Sequence, residues 1–135
     1  MTTGHTRKLN DTVLVAHLIL LAVGGCLGAI GLAFPNLPLV GIGSFGAVGG
    51  AVGLLFHVVL FSVRPGITVR ALTRLSLIWA AIAVVAAAII GWAIDDGSRG
   101  ANIGGGAALL LVVGSAVSAI TTVLAIALRH RPRHA

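Results

Sequence analysis

Two histidines lie inside apolar stretches of this chain, where an ionisable side chain is costly and is a hypothesis of function by default. His17 follows Thr12, the predicted start of one apolar stretch, by five residues, and His57 precedes Val63, the end of the next stretch, by six. At about 1.5 Å of rise per helical residue, both side chains would lie roughly 8–9 Å inside the same membrane boundary. Such a pair is able to form hydrogen bonds between helices, to ligate a haem iron, or to line a path for protons or metal ions.

Two threonines extend this candidate site. Thr121 and Thr122 precede Arg129 by eight and seven residues, which places them at a similar depth on a later apolar stretch. The sequence therefore predicts a polar layer formed by His17, His57, Thr121 and Thr122. No Asp or Glu lies in any apolar stretch, which favours neutral, hydrogen-bonded histidines over a path for protons or metal ions.

Haem b between the two histidines is the remaining alternative for the layer. Arg64, Arg70 or Arg74 would then lie near the propionates. Glycine-rich faces bring helices closer than the usual spacing of about 8–10 Å, which leaves no slot for a porphyrin. We therefore expect no cofactor and no resident metal.

The composition places the chain in a lipid bilayer. Of its 135 residues, 58% are hydrophobic and only 9% are charged, whereas soluble domains carry roughly 25% charged residues. The formal charge of +6 does not indicate a nucleic-acid partner, because the basic residues form short clusters between apolar blocks without an aromatic, basic face. The chain shows no Ser/His/Asp set, no paired carboxylates within reach of each other in a cleft and no phosphate loop, so we do not expect an enzyme.

Four stretches reach the roughly 20 apolar residues that a membrane-spanning helix requires. They predict an all-α integral membrane four-helix bundle forming a single domain over residues 1–135, with Asp11 capping the first helix. Two prolines around an asparagine predict a tight turn after the first span. The polar loop 95–105 and the basic tail 129–135 are expected to be flexible. The predicted spans are residues 12–34, 40–63, 75–94 and 107–128.

The basic residues predict an orientation. Arg and Lys occur twice before the first span, three times between the second and third, and three times after the fourth, which leaves only Arg99 on the other side. This bias predicts that both termini are cytoplasmic. The richness in Ala, Gly, Val and Arg is typical of a high-GC bacterium, so the expected location is a bacterial inner membrane. The residues that would hold this orientation at the lipid headgroups are Arg64, Arg70, Arg74, Arg129, Arg131 and Arg133.

Small residues indicate which helix faces meet. In a bilayer, helices associate through close backbone approach, which small side chains permit. Glycine recurs at helical spacing on one face of each of the first two spans, and span 4 carries a stripe of small and hydroxyl residues that includes Ser118. The predicted packing positions are Gly24, Gly28, Gly46, Gly50, Gly53 and Gly114.

Part of the chain resembles a known family. Residues 24–29 and 34–38 are similar to the first helix and turn of fluoride channels, which covers roughly the first third of the sequence. The resemblance implies a dimeric pore, but its pore-lining Asn in span 2 and the Thr/Phe/Ser-rich break in span 3 are missing here. Small multidrug-resistance transporters need a glutamate in their first span, and this chain has none.

The sequence thus predicts a small accessory or scaffold subunit that contacts a larger membrane complex through its glycine faces. The alternative is a homo-oligomeric channel or transporter whose path is lined by the polar layer.

Overall fold

The computed structural model of the protein describes residues 3–95 and 102–129. These residues form four helices, α1 (Thr3–Ala33), α2 (Leu37–Val63), α3 (Val69–Asp95) and α4 (Asn102–Arg129), and the described ranges contain no strand. All four are long and apolar enough to cross a membrane. The predicted all-α four-helix fold is confirmed, and the length and composition of the helices indicate a multi-pass membrane protein.

The turn between α1 and α2 follows from its local sequence. Asn36 caps α2, because its side-chain oxygen accepts a hydrogen bond from the backbone N–H of Leu39 at 3.1 Å. Pro38 lies in the first turn of α2, where a missing N–H costs no helical hydrogen bond. The two helices therefore run antiparallel as a tight hairpin.

All four helices begin earlier than the apolar pattern suggests. α3 begins at Val69 rather than near residue 75, so Arg70 and Arg74 belong to a helix and the connecting loop is only residues 64–68. The hydroxyl of Thr68 accepts a hydrogen bond from the N–H of Ala71 at 3.2 Å and caps this helix. Hydropathy marks the part of a helix that lipid covers, whereas caps decide where the helix begins.

The same distinction applies at the starts of α1 and α4. α1 already includes residue 3, so the expected cap at Asp11 is wrong: this residue lies inside the helix. α4 begins at Asn102, inside the predicted flexible loop. The remainder of that loop, residues 96–101, and the tail 130–135 lie outside the described residues.

α2 and α4 form the centre of the bundle. α1 and α4 both pack against α2 and also touch each other, while α3 packs along α4 and makes few contacts with α2. The end of the bundle that carries loop 64–68 is termed the basic end. A hydrophobic cluster with side chains from all four helices closes it: Leu9, Val13, Phe61, Leu72 and Ile126.

Candidate functional site

Glycine lets the backbones of α1 and α2 touch. A Cβ atom added to Gly24 would lie 2.6 Å from the carbonyl carbon of Gly46. One added to Gly43 would overlap the backbone nitrogen of Gly28 and lie 2.6 Å from its Cα. No side chain fits at either position without moving a helix, so the separation of α1 and α2 is set by main chain against main chain.

A second glycine contact joins α2 to α4. A Cβ atom on Gly49 would lie 2.8 Å from the carbonyl oxygen of Gly114. In turn, a Cβ atom on Gly114 would lie 2.8 Å from Cγ1 of Val48. α2 thus has glycine on the sides facing both neighbours, and α1 and α4 approach it closely enough for short polar side chains to meet.

The two histidines meet where these contacts converge. The centroids of the His17 and His57 rings are 4.7 Å apart, with a tilt of 36° between the ring planes. The His17 ring occupies space left by Gly53, since a Cβ atom there would overlap both that ring and the hydroxyl of Ser118. One missing side chain on α2 therefore makes the room for the imidazole of α1.

Backbone carbonyls set the tautomers of both rings. Nδ1 of His17 lies 2.8 Å from the carbonyl oxygen of Val13, and Nδ1 of His57 lies 2.7 Å from that of Gly53. A carbonyl only accepts hydrogen bonds, so each Nδ1 carries a proton and donates it. In a neutral imidazole, Nε2 is then an acceptor that needs a donor.

Helix α4 supplies those donors. The hydroxyl of Ser118 lies 2.9 Å from Nε2 of His17 and donates to it; the carbonyl oxygen of Ser118, 3.1 Å from the same nitrogen, is a contact without a proton between the two acceptors. The hydroxyl of Thr122 lies 3.2 Å from Nε2 of His57. The Thr122 hydroxyl is also 3.0 Å from the carbonyl oxygen of Ser118, so its single proton is shared between two acceptors. The four side chains, termed the histidine layer, are at most 3% exposed.

The layer differs in one member from the set predicted by sequence. His17, His57 and Thr122 come together, whereas the Thr121 hydroxyl donates to the carbonyl of Val117, 2.8 Å away, within its own helix. Ser118 takes the place expected for Thr121. Its spacing of four residues from Thr122 puts both hydroxyls on one face of α4, which is the signal that identifies it.

The chemistry open to this layer is limited. At its two ends the network of hydrogen bonds reaches the backbone carbonyls of Val13 and Gly53, and both residues are buried in the bundle. Residues 3–95 and 102–129 contain no group of three or more His, Cys, Asp or Glu side chains able to hold a metal ion. The hydrogen bonds of the layer join three helices, α1, α2 and α4, in one buried polar contact.

Haem b does not fit these residues. Bis-histidine ligation places an iron atom and the flat porphyrin between the two imidazole rings. Here the ring centroids are 4.7 Å apart, a direct ring-to-ring contact, and each Nε2 already faces a hydroxyl of α4. No room for a porphyrin exists between them.

The arginines predicted to hold the orientation lie at the ends of helices. Arg64 follows the last residue of α2, and Arg70 and Arg74 lie in the first turns of α3; all three are exposed. Arg129 is the last residue of α4 and is half-buried. Arg131 and Arg133 lie outside the described residues.

Comparison of the chain with protein-family models, with curated proteins and with solved structures found no match. A function must therefore rest on the geometry of the histidine layer and of the helix surfaces.

Proposed function

We propose that this protein is a small, non-catalytic multi-pass membrane protein that serves as an accessory or scaffold subunit of a larger membrane complex. The sealed histidine layer carries this proposal. Its four polar side chains hydrogen-bond to one another and to backbone carbonyls, and they are almost fully buried. A site that handles a solute must be reached by that solute, whereas a structural contact needs no access.

The partner surface of this proposal is the outer face of α3. The glycine faces of α1 and α2 are occupied by each other, so they are not available to another chain. In the most apolar window of α3 only 11% of residues are buried, against 33% for α2 and α4. Ala81, Ile82, Val85, Ala86 and Ile89 line a shallow apolar groove on this face. Two of these side chains are small, which suits the approach of a partner helix.

The alternative, a homo-oligomeric channel or transporter lined by His17, His57, Thr121 and Thr122, has less support. It requires water or solute to reach the histidines. The side chains of His17, His57 and Thr122 are at most 2% exposed. The hydroxyl of Thr121 donates a hydrogen bond within α4.

The accessory role predicts a complex of fixed stoichiometry. After extraction in mild detergent, native mass measurement should show this chain together with unrelated membrane subunits. Ala81→Trp, on the outer face of α3, should release those subunits, because the indole blocks a close helix contact. Ala29→Trp, at an exposed site on α1, is the matched control and should not.

A defined homo-oligomer that carries protons or ions across liposomes would overturn the accessory role and support the alternative. If Ala81→Trp and Ala29→Trp disrupted the complex equally, the partner surface would not be the outer face of α3.

The proposal includes a location: a bacterial inner membrane, with both termini in the cytoplasm. Its support is the charge distribution, because eight of the nine Lys and Arg residues fall on one side of the four helices. In a Cys26→Ala background, Gly66→Cys in the loop 64–68 should react with a membrane-impermeant thiol reagent only after the cells are opened. Labelling of intact cells at this position would reverse the orientation.

A further inference from the structure

A furrow separates α2 from α3. Although loop 64–68 joins these helices directly, α3 packs along α4. Next to the loop lies a cavity of about 600 Å³ whose lining includes Leu60, Arg64 and Ala71. Further along the same two helices lies an apolar cavity of about 310 Å³, lined by Phe56, Leu75, Ile78, Trp79 and Ile82.

The two cavities are consecutive parts of one furrow. Leu60 lies one helical turn from Phe56 on α2, and Ala71 lies one turn from Leu75 on α3. The walls therefore continue from the first cavity into the second. The ring centroids of Phe56 and Trp79 are 3.9 Å apart, an edge-to-face contact that joins the two helices where they line the second cavity.

The length of the furrow matches one leaflet of a bilayer. From Ala71 to Ile82 the helix rises about 16 Å at 1.5 Å per residue. Half of a hydrocarbon core of about 30 Å is about 15 Å. Beyond the loop-side cavity, the furrow exposes almost only apolar surface, so its occupant at that depth must be apolar.

The mouth of the furrow has the opposite character. Arg64 lines it, and Arg70 and Arg74 are exposed in the first turns of α3. Thr68 and Ala71, at the start of α3, also line it; the Thr68 hydroxyl accepts from the N–H of Ala71, which leaves the N–H groups of Val69 and Arg70 without a partner within the helix. In the described part of the chain no carboxylate pairs with these three arginines. A negatively charged group with several acceptor oxygens complements such a mouth.

We propose that this furrow binds one anionic phospholipid from the leaflet at the basic end of the bundle. Its phosphate lies at Arg64 and the start of α3, and one acyl chain lies along the surface formed by Leu60, Leu75 and the contacting rings of Phe56 and Trp79. A charged mouth above an apolar slot of one-leaflet length fits a two-part ligand of this kind. This inference is independent of the accessory role.

The test uses the full chain in nanodiscs of equal phosphatidylglycerol and phosphatidylcholine, followed by native mass measurement of lipid retained after release. One phosphatidylglycerol per chain should remain bound. Arg64→Gln should lower this retention about fivefold, the factor expected from one basic residue at a membrane surface. Arg64→Lys should largely restore it. Arg7→Gln, an exposed basic site on α1, is the matched control and should retain the lipid.

A second variant tests the slot. Leu75→Trp fills the apolar part without changing charge, and it should remove the bound lipid while helicity by circular dichroism stays unchanged. Equal retention of the two lipids would overturn the proposal, as would an equal effect of Arg7→Gln and Arg64→Gln. If millimolar inorganic phosphate displaced the lipid, the mouth would be a site for small anions and the proposal of a lipid site would be wrong. A dimer that Leu75→Trp dissociates would show that a second copy fills the furrow.

Discussion

Gly43→Ala is expected to destabilise the bundle by about 1–3 kcal/mol, whereas Gly41→Ala, on the same helix, should be neutral or slightly stabilising. The added methyl at residue 43 would overlap the main chain of α1 at Gly28, and main chain cannot rotate out of the way. At residue 41 nothing lies within 4 Å of the added atom, so only the better helix propensity of alanine remains.

The facing residue provides a second comparison. A Cβ atom on Gly28 would lie 3.8 Å from the carbonyl carbon of Gly43, an ordinary contact, so Gly28→Ala should cost much less than Gly43→Ala. The free energy of unfolding, measured by titration with a denaturing detergent in mixed micelles, ranks the three variants. Equal losses at residues 28 and 43 would contradict the register of α1 on α2 described above.

His17→Ala is expected to cost about 3 kcal/mol of bundle stability. The ring is fully buried, and truncating a large buried side chain to alanine typically costs about 3–5 kcal/mol through lost contacts and the cavity left behind. Its hydrogen bond contributes less, because such bonds between membrane helices average about 0.6 kcal/mol. Ser118→Ala should therefore cost clearly less than His17→Ala, although both remove the same interhelical bond.

Leu18→Ala is the matched control for this prediction. Leu18 is the next residue along α1 but is 56% exposed, so its truncation removes contacts with lipid rather than with protein. The same detergent titration measures the free energy of unfolding of His17→Ala, Ser118→Ala and Leu18→Ala. If His17→Ala and Leu18→Ala proved equal, the imidazole would not lie between α1, α2 and α4. Once residue 17 is alanine, Ser118→Ala should have little further effect, since the hydroxyl has already lost its acceptor.

The periodic glycines made much of the first hairpin predictable. Residues 43, 46, 50, 53 and 57 recur at helical spacing, and all five are buried in the structure. The shared depth of His17 and His57 followed from counting residues to the span ends. Both inferences use only helical geometry within a segment, and the short turn at Pro35 fixes how the two segments face each other.

The rotation of α4 was not predictable in the same way. Adjacent helical residues point about 100° apart, so Thr121 and Thr122 face different neighbours, and nothing in the local sequence decides which one turns inward. That choice depends on the contact of Gly114 with Val48 and Gly49 of another helix. The pairing of α3 with α4 rather than α2 is likewise a property of the assembled bundle.

The order in which the histidine layer is completed has a consequence for biogenesis. His17 and His57 emerge from the ribosome with the first hairpin, whereas Ser118 and Thr122 belong to the last helix. Until α4 inserts, both imidazole Nε2 atoms lack the donors they have in the finished protein. A chain that ends before α4 therefore leaves two buried imidazole acceptors without donors, and each unsatisfied acceptor destabilises the unfinished bundle.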